Sequence, residues 1–96
     1  MRPSEALKLY RDQIRKIALK NRVTNPRVFG SVLRNEDTEQ SDLDILVEPT
    51  AETTLMDIGA IQIELSELLK ISIDVLTPRA LPEKFRAAVI QEAQPI

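Results

Sequence analysis

The chain contains no cysteine and no histidine. The absence of cysteine excludes disulfides and thiolate metal sites, and the absence of histidine removes the usual general base and the usual zinc ligand. Any metal ion must therefore be bound by oxygen atoms. No apolar run approaches the roughly eighteen residues of a membrane span, and no signal peptide opens the chain. We therefore expect a cytoplasmic protein with no membrane partner.

Aromatic side chains are also scarce, since only Tyr10, Phe29 and Phe85 could stack on nucleic-acid bases. This scarcity argues against nucleic acid as a direct substrate. A length of 96 residues predicts one domain, residues 1–96. There is no room in it for a second domain that would hold a polymer.

The charges are divided along the chain, although the formal net charge is only −2. Residues 1–34 hold nine basic and two acidic side chains, whereas residues 35–74 hold one basic and eleven acidic ones. Such a division fits a polyphosphate with its metal ions between a basic and an acidic half. The alternative, which we favour for the first segment, is that its basic residues form the solvated side of a helix.

The most informative stretch is residues 28–47, where one apolar run ends in Gly30-Ser31 and a second begins with Asp42 and Asp44. In an extended strand Asp42 and Asp44 would point the same way, with Cα atoms about 6.5 to 7 Å apart. Two carboxylates this close repel each other unless a cation lies between them, and Mg²⁺ prefers oxygen ligands. Gly30 lets the backbone approach a ligand, and Ser31 adds a hydroxyl and an N–H for phosphate. Alone, either motif would indicate a solvated strand edge or a turn; in succession they favour a site for Mg²⁺ and a triphosphate.

A third carboxylate lies on the predicted strand at residues 71–76. Asp74 occurs there among β-branched residues, where an acidic side chain is unfavourable unless it has a purpose. If this strand lies beside residues 43–47, Asp74 joins Asp42 and Asp44 on the polar face. An incidental position for Asp74 is the alternative.

The connection between the two motifs is rich in charge. Arg34 either contacts the acidic site or a phosphate, or is a surface residue, and the sequence does not distinguish these roles. We expect Glu36, Asp37 and Glu39 to be solvated charges of the loop.

Periodicity predicts an α/β fold, with a small mixed β-sheet of about three strands packed with helices. The expected helices are Ser4–Asn21, Thr54–Lys70 and Pro82–Gln91. The expected strands are Arg27–Phe29, Leu43–Val47 and Ile71–Leu76, the first of them beginning only after a break at Asn25-Pro26. In the last helix we expect three side chains to pack inward, namely Phe85, Ala88 and Val89.

Residues 29–34, Phe-Gly-Ser-Val-Leu-Arg, followed by residues 41–45, Ser-Asp-Leu-Asp-Ile, resemble the signature of the DNA polymerase β-like nucleotidyltransferases. In length the chain is most similar to the minimal nucleotidyltransferases (MntA-like), which occur as antitoxin partners of HEPN-domain toxins. The resemblance covers nearly the whole chain. It departs where the family usually has glycine after the arginine, because this chain has Asn35. Since asparagine tolerates the left-handed backbone conformation, we expect the turn to persist.

The resemblance implies a polymerase β-like fold and a Mg²⁺-dependent transfer of NMP, most often AMP from ATP, to a hydroxyl. In the family's mechanism Asp42 and Asp44 would bridge two Mg²⁺ ions, and Asp74 would complete the catalytic set. Asp74 would also be the candidate base, since there is no histidine. The nucleotide's phosphates would be bound by Gly30, Ser31 and Arg34.

The acceptor of the nucleotide is expected to come from a second protein, because so short a chain has no separate element to hold tRNA, DNA or an antibiotic. The resemblance points to a HEPN toxin that is AMPylated on a tyrosine and thereby silenced. Two alternatives stay open. One is a catalytically silent antitoxin that acts by binding alone, and the other is a small-molecule nucleotidyltransferase that works as an oligomer.

Overall fold

A four-stranded mixed sheet carries the candidate residues, in a computed structural model that describes residues 1–96. The elements in chain order are α1 (Pro3–Lys20), β1 (Val23–Phe29), β2 (Leu43–Pro49), α2 (Leu55–Leu69), β3 (Ile73–Leu76), α3 (Glu83–Glu92) and β4 (Gln94–Pro95). The strand order is β3-β2-β1-β4; β2 and β3 are parallel, and the other neighbours are antiparallel. The expected α/β fold class is confirmed, with one strand more than expected. None of the helices is long and apolar enough to cross a membrane.

The side chains of β2 alternate between the two faces of the sheet. Leu43, Ile45 and Val47 are each 0% exposed and belong to the main core, which α1 and α2 cover. Asp44 and Leu46 take the opposite face, because successive residues of a strand point to opposite sides. A smaller apolar cluster lies on that second face and is formed by Phe29, Leu46 and Leu81, with Leu33, Leu76, Val89 and Ala93 packed against it. The polar and apolar side chains of the second face therefore lie side by side.

The first strand is longer than the sequence predicts, because it continues through Asn25-Pro26 instead of beginning after it. The register between β1 and β2 shifts between Thr24 and Arg27, and Asn25 has a φ of +48°. A bulge of this kind leaves a residue outside the ladder, so a proline is tolerated there. The carbonyl of Pro26 accepts a hydrogen bond from the Ile96 N–H at 3.0 Å.

The fourth strand was not expected from the sequence. Gln94 and Pro95 pair with Val28 and Arg27 along the free edge of β1. The next residue, Ile96, is 8% exposed and joins the main core. Two residues show no alternation, so a strand this short leaves no pattern for sequence analysis to detect.

The last helix packs less completely than expected. Phe85 is 55% exposed and Ala88 is exposed, whereas Val89 contacts the second apolar cluster. The inward packing expected for Phe85 and Ala88 is therefore wrong. The reason is that α3 covers only the margin of the second face, so one side of the helix has no neighbour.

The first helix begins one residue earlier than predicted, at Pro3, which suits the first turn because its missing N–H needs no partner. Ser4 therefore lies within the first turn of the helix. Its backbone N–H donates to Oδ2 of Asp37 at 2.9 Å. Asp37 is only 8% exposed, so the expectation of a solvated loop charge is wrong for this residue. Its carboxylate satisfies one of the free N–H groups at the positive end of α1.

The pKa of Asp37 is lower than its ordinary value of 3.8. Burial acts to raise this pKa, but the hydrogen bonds from Ser4, the backbone N–H of Asp37 and the charge of Arg2 together outweigh it. A lowered pKa means that the folded protein favours the ionised carboxylate. The contribution to stability is therefore present above the unfolded-state pKa and is lost as pH falls through the folded-state pKa.

Asp37→Ala should lower the free energy of unfolding at pH 7 by about 1 to 2 kcal/mol, because α1 loses a charged hydrogen-bond acceptor at its N-terminus. Urea unfolding at pH 7 and below pH 3 measures the effect, which should shrink at the lower pH. The matched control is Glu36→Ala, which removes only the exposed ion pair with Arg34 and should change stability by less than about 0.5 kcal/mol. Equal losses for the two variants would contradict the capping role.

Candidate active site

Gly30 follows β1 directly and lies against Asp44 of the neighbouring strand. Phe29, the last residue of β1, is the register partner of Asp44. Gly30 has a φ of +81°, and a Cβ placed on it would lie 2.3 Å from Oδ2 of Asp44. Only glycine fits this position, because it supplies both the left-handed backbone and the space for the carboxylate.

The backbone turns immediately after Gly30 in a short 3₁₀ segment, Gly30–Val32. The N–H groups of Arg34 and Glu36 both donate to the carbonyl of Ser31, at 3.2 and 3.0 Å. Asn35 closes the turn with a φ of +54°, so the expectation that asparagine would preserve it is confirmed. The start of a helical turn leaves N–H groups without partners inside the turn, and Gly30-Ser31 occupies that start.

Two of the three predicted carboxylates come from adjacent parallel strands. Asp44 of β2 is the register partner of Asp74 of β3, and neighbouring strands lie about 4.8 Å apart. Asp42 is exposed and comes one residue before β2 begins. Asp44 and Asp74 are half-buried. The structure thus brings Asp44 and Asp74 together beside Gly30, with Asp42 at the open end.

The pKa of Asp44 is raised from 3.8 to about 6. Burial is the largest cause, and the negative charges of Asp74 and Asp42 act in the same direction. The guanidinium of Arg34 acts in the opposite direction, so Arg34 is close enough to influence the site. Its side chain is 54% exposed and forms an ion pair with Glu36 at 3.5 Å.

The donor chemistry of this cluster suits a hard cation. All its candidate ligands are carboxylate oxygens, which Mg²⁺ and Ca²⁺ prefer, whereas soft metals prefer sulfur and nitrogen. The carboxylates do not form a preassembled cage, since no three acidic side chains are arranged to hold an ion. A cation would therefore have to draw oxygens of Asp42, Asp44 and Asp74 together.

A cavity of about 450 Å³ opens beside Gly30, and the sequence analysis missed it. Gly30 and Arg34 form part of its wall, and the rest is mainly apolar side chains of β3, α3 and the segment between them. The sequence held one indication of this cavity, because alternation along β3 places Leu76 on the same face as Asp74. The exposure of Phe85, which completes the wall, depends on tertiary packing and has no local signal.

Comparison with known proteins gives the class of the chain. Residues 12–96 match the family described as polymerase beta, nucleotidyltransferase. The chain belongs to this nucleotidyltransferase family, as the motifs at Gly30-Ser31 and Asp42 to Asp44 indicate.

Two particular proteins are similar over most of their length. The candidate protein adenylyltransferase MJ0435 of Methanocaldococcus jannaschii is 39% identical over 77 residues, which cover 80% of this chain and 83% of that protein. A solved structure of a candidate minimal nucleotidyltransferase is 34% identical, with a TM-score of 0.85, over 97% of this chain and 95% of that one. The likeness to minimal nucleotidyltransferases inferred from the motifs is therefore confirmed.

More distant solved structures come from toxin–antitoxin pairs. A toxin–antitoxin structure with AMP-PNP aligns with a TM-score of 0.73 and 19% identity, over 88% of this chain and 69% of that one. The MntA-HepT toxin–antitoxin structure aligns with a TM-score of 0.68 and 18% identity, over 92% and 69% of the two chains. At identities of 19% and 18%, these alignments show that the chains share a fold.

Gly30→Ala should lower the melting temperature, because a Cβ would overlap the Asp44 carboxylate and the left-handed backbone costs an alanine about 1 to 2 kcal/mol. The matched control is Gly59→Ala in α2, where a Cβ would meet nothing within 4 Å. That change should raise the free energy of unfolding by about 0.5 to 1 kcal/mol, because alanine favours a helix. Thermal melting of both variants measures the difference, and an unchanged Gly30→Ala protein would refute the close contact.

Proposed function

We propose that the chain is a Mg²⁺-dependent protein adenylyltransferase that transfers AMP from ATP to a tyrosine hydroxyl of a HEPN-type toxin and so acts as its antitoxin. The observation that carries the proposal is the pairing of Asp44 with Asp74 across two parallel strands, directly beside Gly30. Half-buried carboxylates that repel each other need a cation, and the turn at Gly30 provides an adjacent place for phosphate. We further propose that residues 1–96 act as one domain and that the reaction takes place in the cytoplasm.

Three carboxylates would hold the metal, namely Asp42, Asp44 and Asp74. Bound there, Mg²⁺ would neutralise charge on the triphosphate and make the attacking hydroxyl more acidic, with two ions as the number that the family resemblance implies. The raised pKa of Asp44 supports this assignment, because burial and the charges of Asp74 and Asp42 disfavour its ionised form until a cation is bound.

Gly30-Ser31 would bind the phosphates through the open N–H groups of the turn and the Ser31 hydroxyl. Arg34 would contribute positive charge from the adjacent position, where it already acts on Asp44. The polyphosphate would then lie between the 3₁₀ segment and the carboxylates.

In the transfer step the acceptor oxygen would form a bond to the α-phosphorus while the bond from that phosphorus to the bridging oxygen breaks. Pyrophosphate leaves, and AMP remains on the acceptor. Asp74 would accept the proton of the hydroxyl, since the chain has no histidine to serve as the base.

The proposed partner is supported by the names of similar proteins and by the structures that share this fold. A similar protein is named as a candidate protein adenylyltransferase, and chains with the same fold occur in toxin–antitoxin structures, one of them with AMP-PNP. The name HepT in another of these structures agrees with the HEPN partner that the motif resemblance implies. In this proposal the bound partner brings the acceptor hydroxyl to the site.

Intact-mass analysis tests the proposal. A HEPN-type toxin from the same genome should gain mass in steps of one AMP when incubated with this chain, ATP and Mg²⁺. Asp44→Asn should reduce the rate by orders of magnitude, because the carboxylate paired with Asp74 is lost. The matched control is Asp12→Asn on α1, which changes an exposed carboxylate away from the site and should leave the rate unchanged.

Tight binding of the toxin without a mass change, using any of the four nucleoside triphosphates, would contradict the proposal. That result would instead identify an antitoxin that acts by contact alone. A fully active Asp44→Asn protein would show that the paired carboxylates are not catalytic.

A further inference from the structure

The cavity beside Gly30 lies on the same face of the sheet as Asp74. Leu76 lines the cavity and follows Asp74 by two residues, so both side chains lie on one face with Cα atoms about 6.5 to 7 Å apart. Gly30 contacts Asp44 and also lines the cavity. The proposed phosphate site and the cavity therefore share a wall.

The cavity has the size and character of a small-molecule site. Its volume of about 450 Å³ falls within the range of roughly 300 to 1,000 Å³ that is common for ligand pockets. Most of its wall is apolar, with Phe29, Leu76 and Leu81 on the sheet side and Phe85 and Ala88 on α3. Two charged residues, Arg34 and Glu92, also line it.

Phe85 is placed to contact a ligand. It lines the cavity yet remains 55% exposed, so much of the ring is free of protein contacts. The ammonium of Lys84 lies 5.8 Å from the ring centroid, which keeps a positive charge beside it. An exposed aromatic ring at the wall of an apolar cavity is a surface on which a flat ring can stack.

We propose that this cavity binds the nucleoside part of the triphosphate, with the base against Phe85. The inference rests on the proposed function, because it takes the phosphates to lie at Gly30-Ser31. A triphosphate bound there leaves its base and ribose within a few bonds of the site, and the adjoining cavity offers apolar and aromatic surface for them.

Obstruction of the cavity tests the proposal. Ala88→Trp places a large side chain on its wall, while Ala87→Trp adds the same side chain at an exposed position of α3 that does not line it. Binding is measured by calorimetry with two probes, MgATP and magnesium tripolyphosphate, since the second has phosphates but no base. Ala88→Trp should weaken MgATP binding roughly ten- to a hundredfold, as loss of base stacking and packing would. It should leave tripolyphosphate binding within about twofold, and Ala87→Trp should change neither.

Phe85→Ala provides a second variant that adds no bulk. Because the ring is 55% exposed, its removal leaves the core intact, and it should weaken MgATP binding while sparing tripolyphosphate. Together the two variants separate obstruction of the cavity from loss of the stacking surface.

Three results would overturn the proposal. Unchanged MgATP binding in both variants would show that the base lies elsewhere, and an equal loss of both probes would show a general disturbance of the site. Normal MgATP binding with lost transfer to the toxin would assign the cavity to the acceptor. By contrast, a wild-type protein that binds neither probe would refute the proposed function itself.

Discussion

The pairing of two carboxylates across parallel strands is the constraint on which the site depends. The register that buries Leu43 and Ile45 under the helices also places Asp44 beside Asp74 on the other face. A shift by one residue would exchange the two faces and remove the core, so the folding of β2 enforces the repulsion. Burial together with the neighbouring charges raises the pKa of Asp44 to about 6. The hydrophobic core therefore holds the two carboxylates together, and their repulsion is relieved either by protonation of Asp44 or by a bound cation.

This constraint has a cost that depends on pH. Because the folded-state pKa of Asp44 is above its unfolded value of 3.8, the folded protein holds the proton more tightly than the unfolded chain. The contribution of Asp44 to stability should therefore fall as pH rises from about 3.8 through about 6 and stay at the lower level above it. Asp37 has the opposite sign, since its lowered pKa stabilises the fold above its ordinary titration range. Asp37 of the acidic segment thus stabilises the fold at neutral pH, whereas Asp44 destabilises it.

The features that could be predicted from sequence are those with a visible period or a steric requirement. Alternation in β2 and β3 was sufficient to place Leu43 and Asp44 on opposite faces, and Gly30-Ser31 marked the turn that follows β1. The features that escaped depend on contacts between distant segments. Asp37 is buried only because α1 docks on the loop, and Phe85 is exposed only because α3 covers part of a face. The burial of Asp37 and the exposure of Phe85 leave no pattern in the neighbouring sequence. The strand β4 has only two residues, which are too few to show alternation.

The most direct test is to measure the pKa of the Asp44 carboxyl group. NMR titration of the ¹³C-labelled protein reports this pKa through the chemical shift of the carboxyl carbon. Without metal the pKa of Asp44 should lie near 6, because burial and the charges of Asp74 and Asp42 raise it. With Mg²⁺ and AMP-PNP bound, the same carboxyl should titrate below its ordinary value of 3.8, because a cation favours its ionised form. A value near 3.8 without metal that does not move when Mg²⁺ and nucleotide are added would contradict the account.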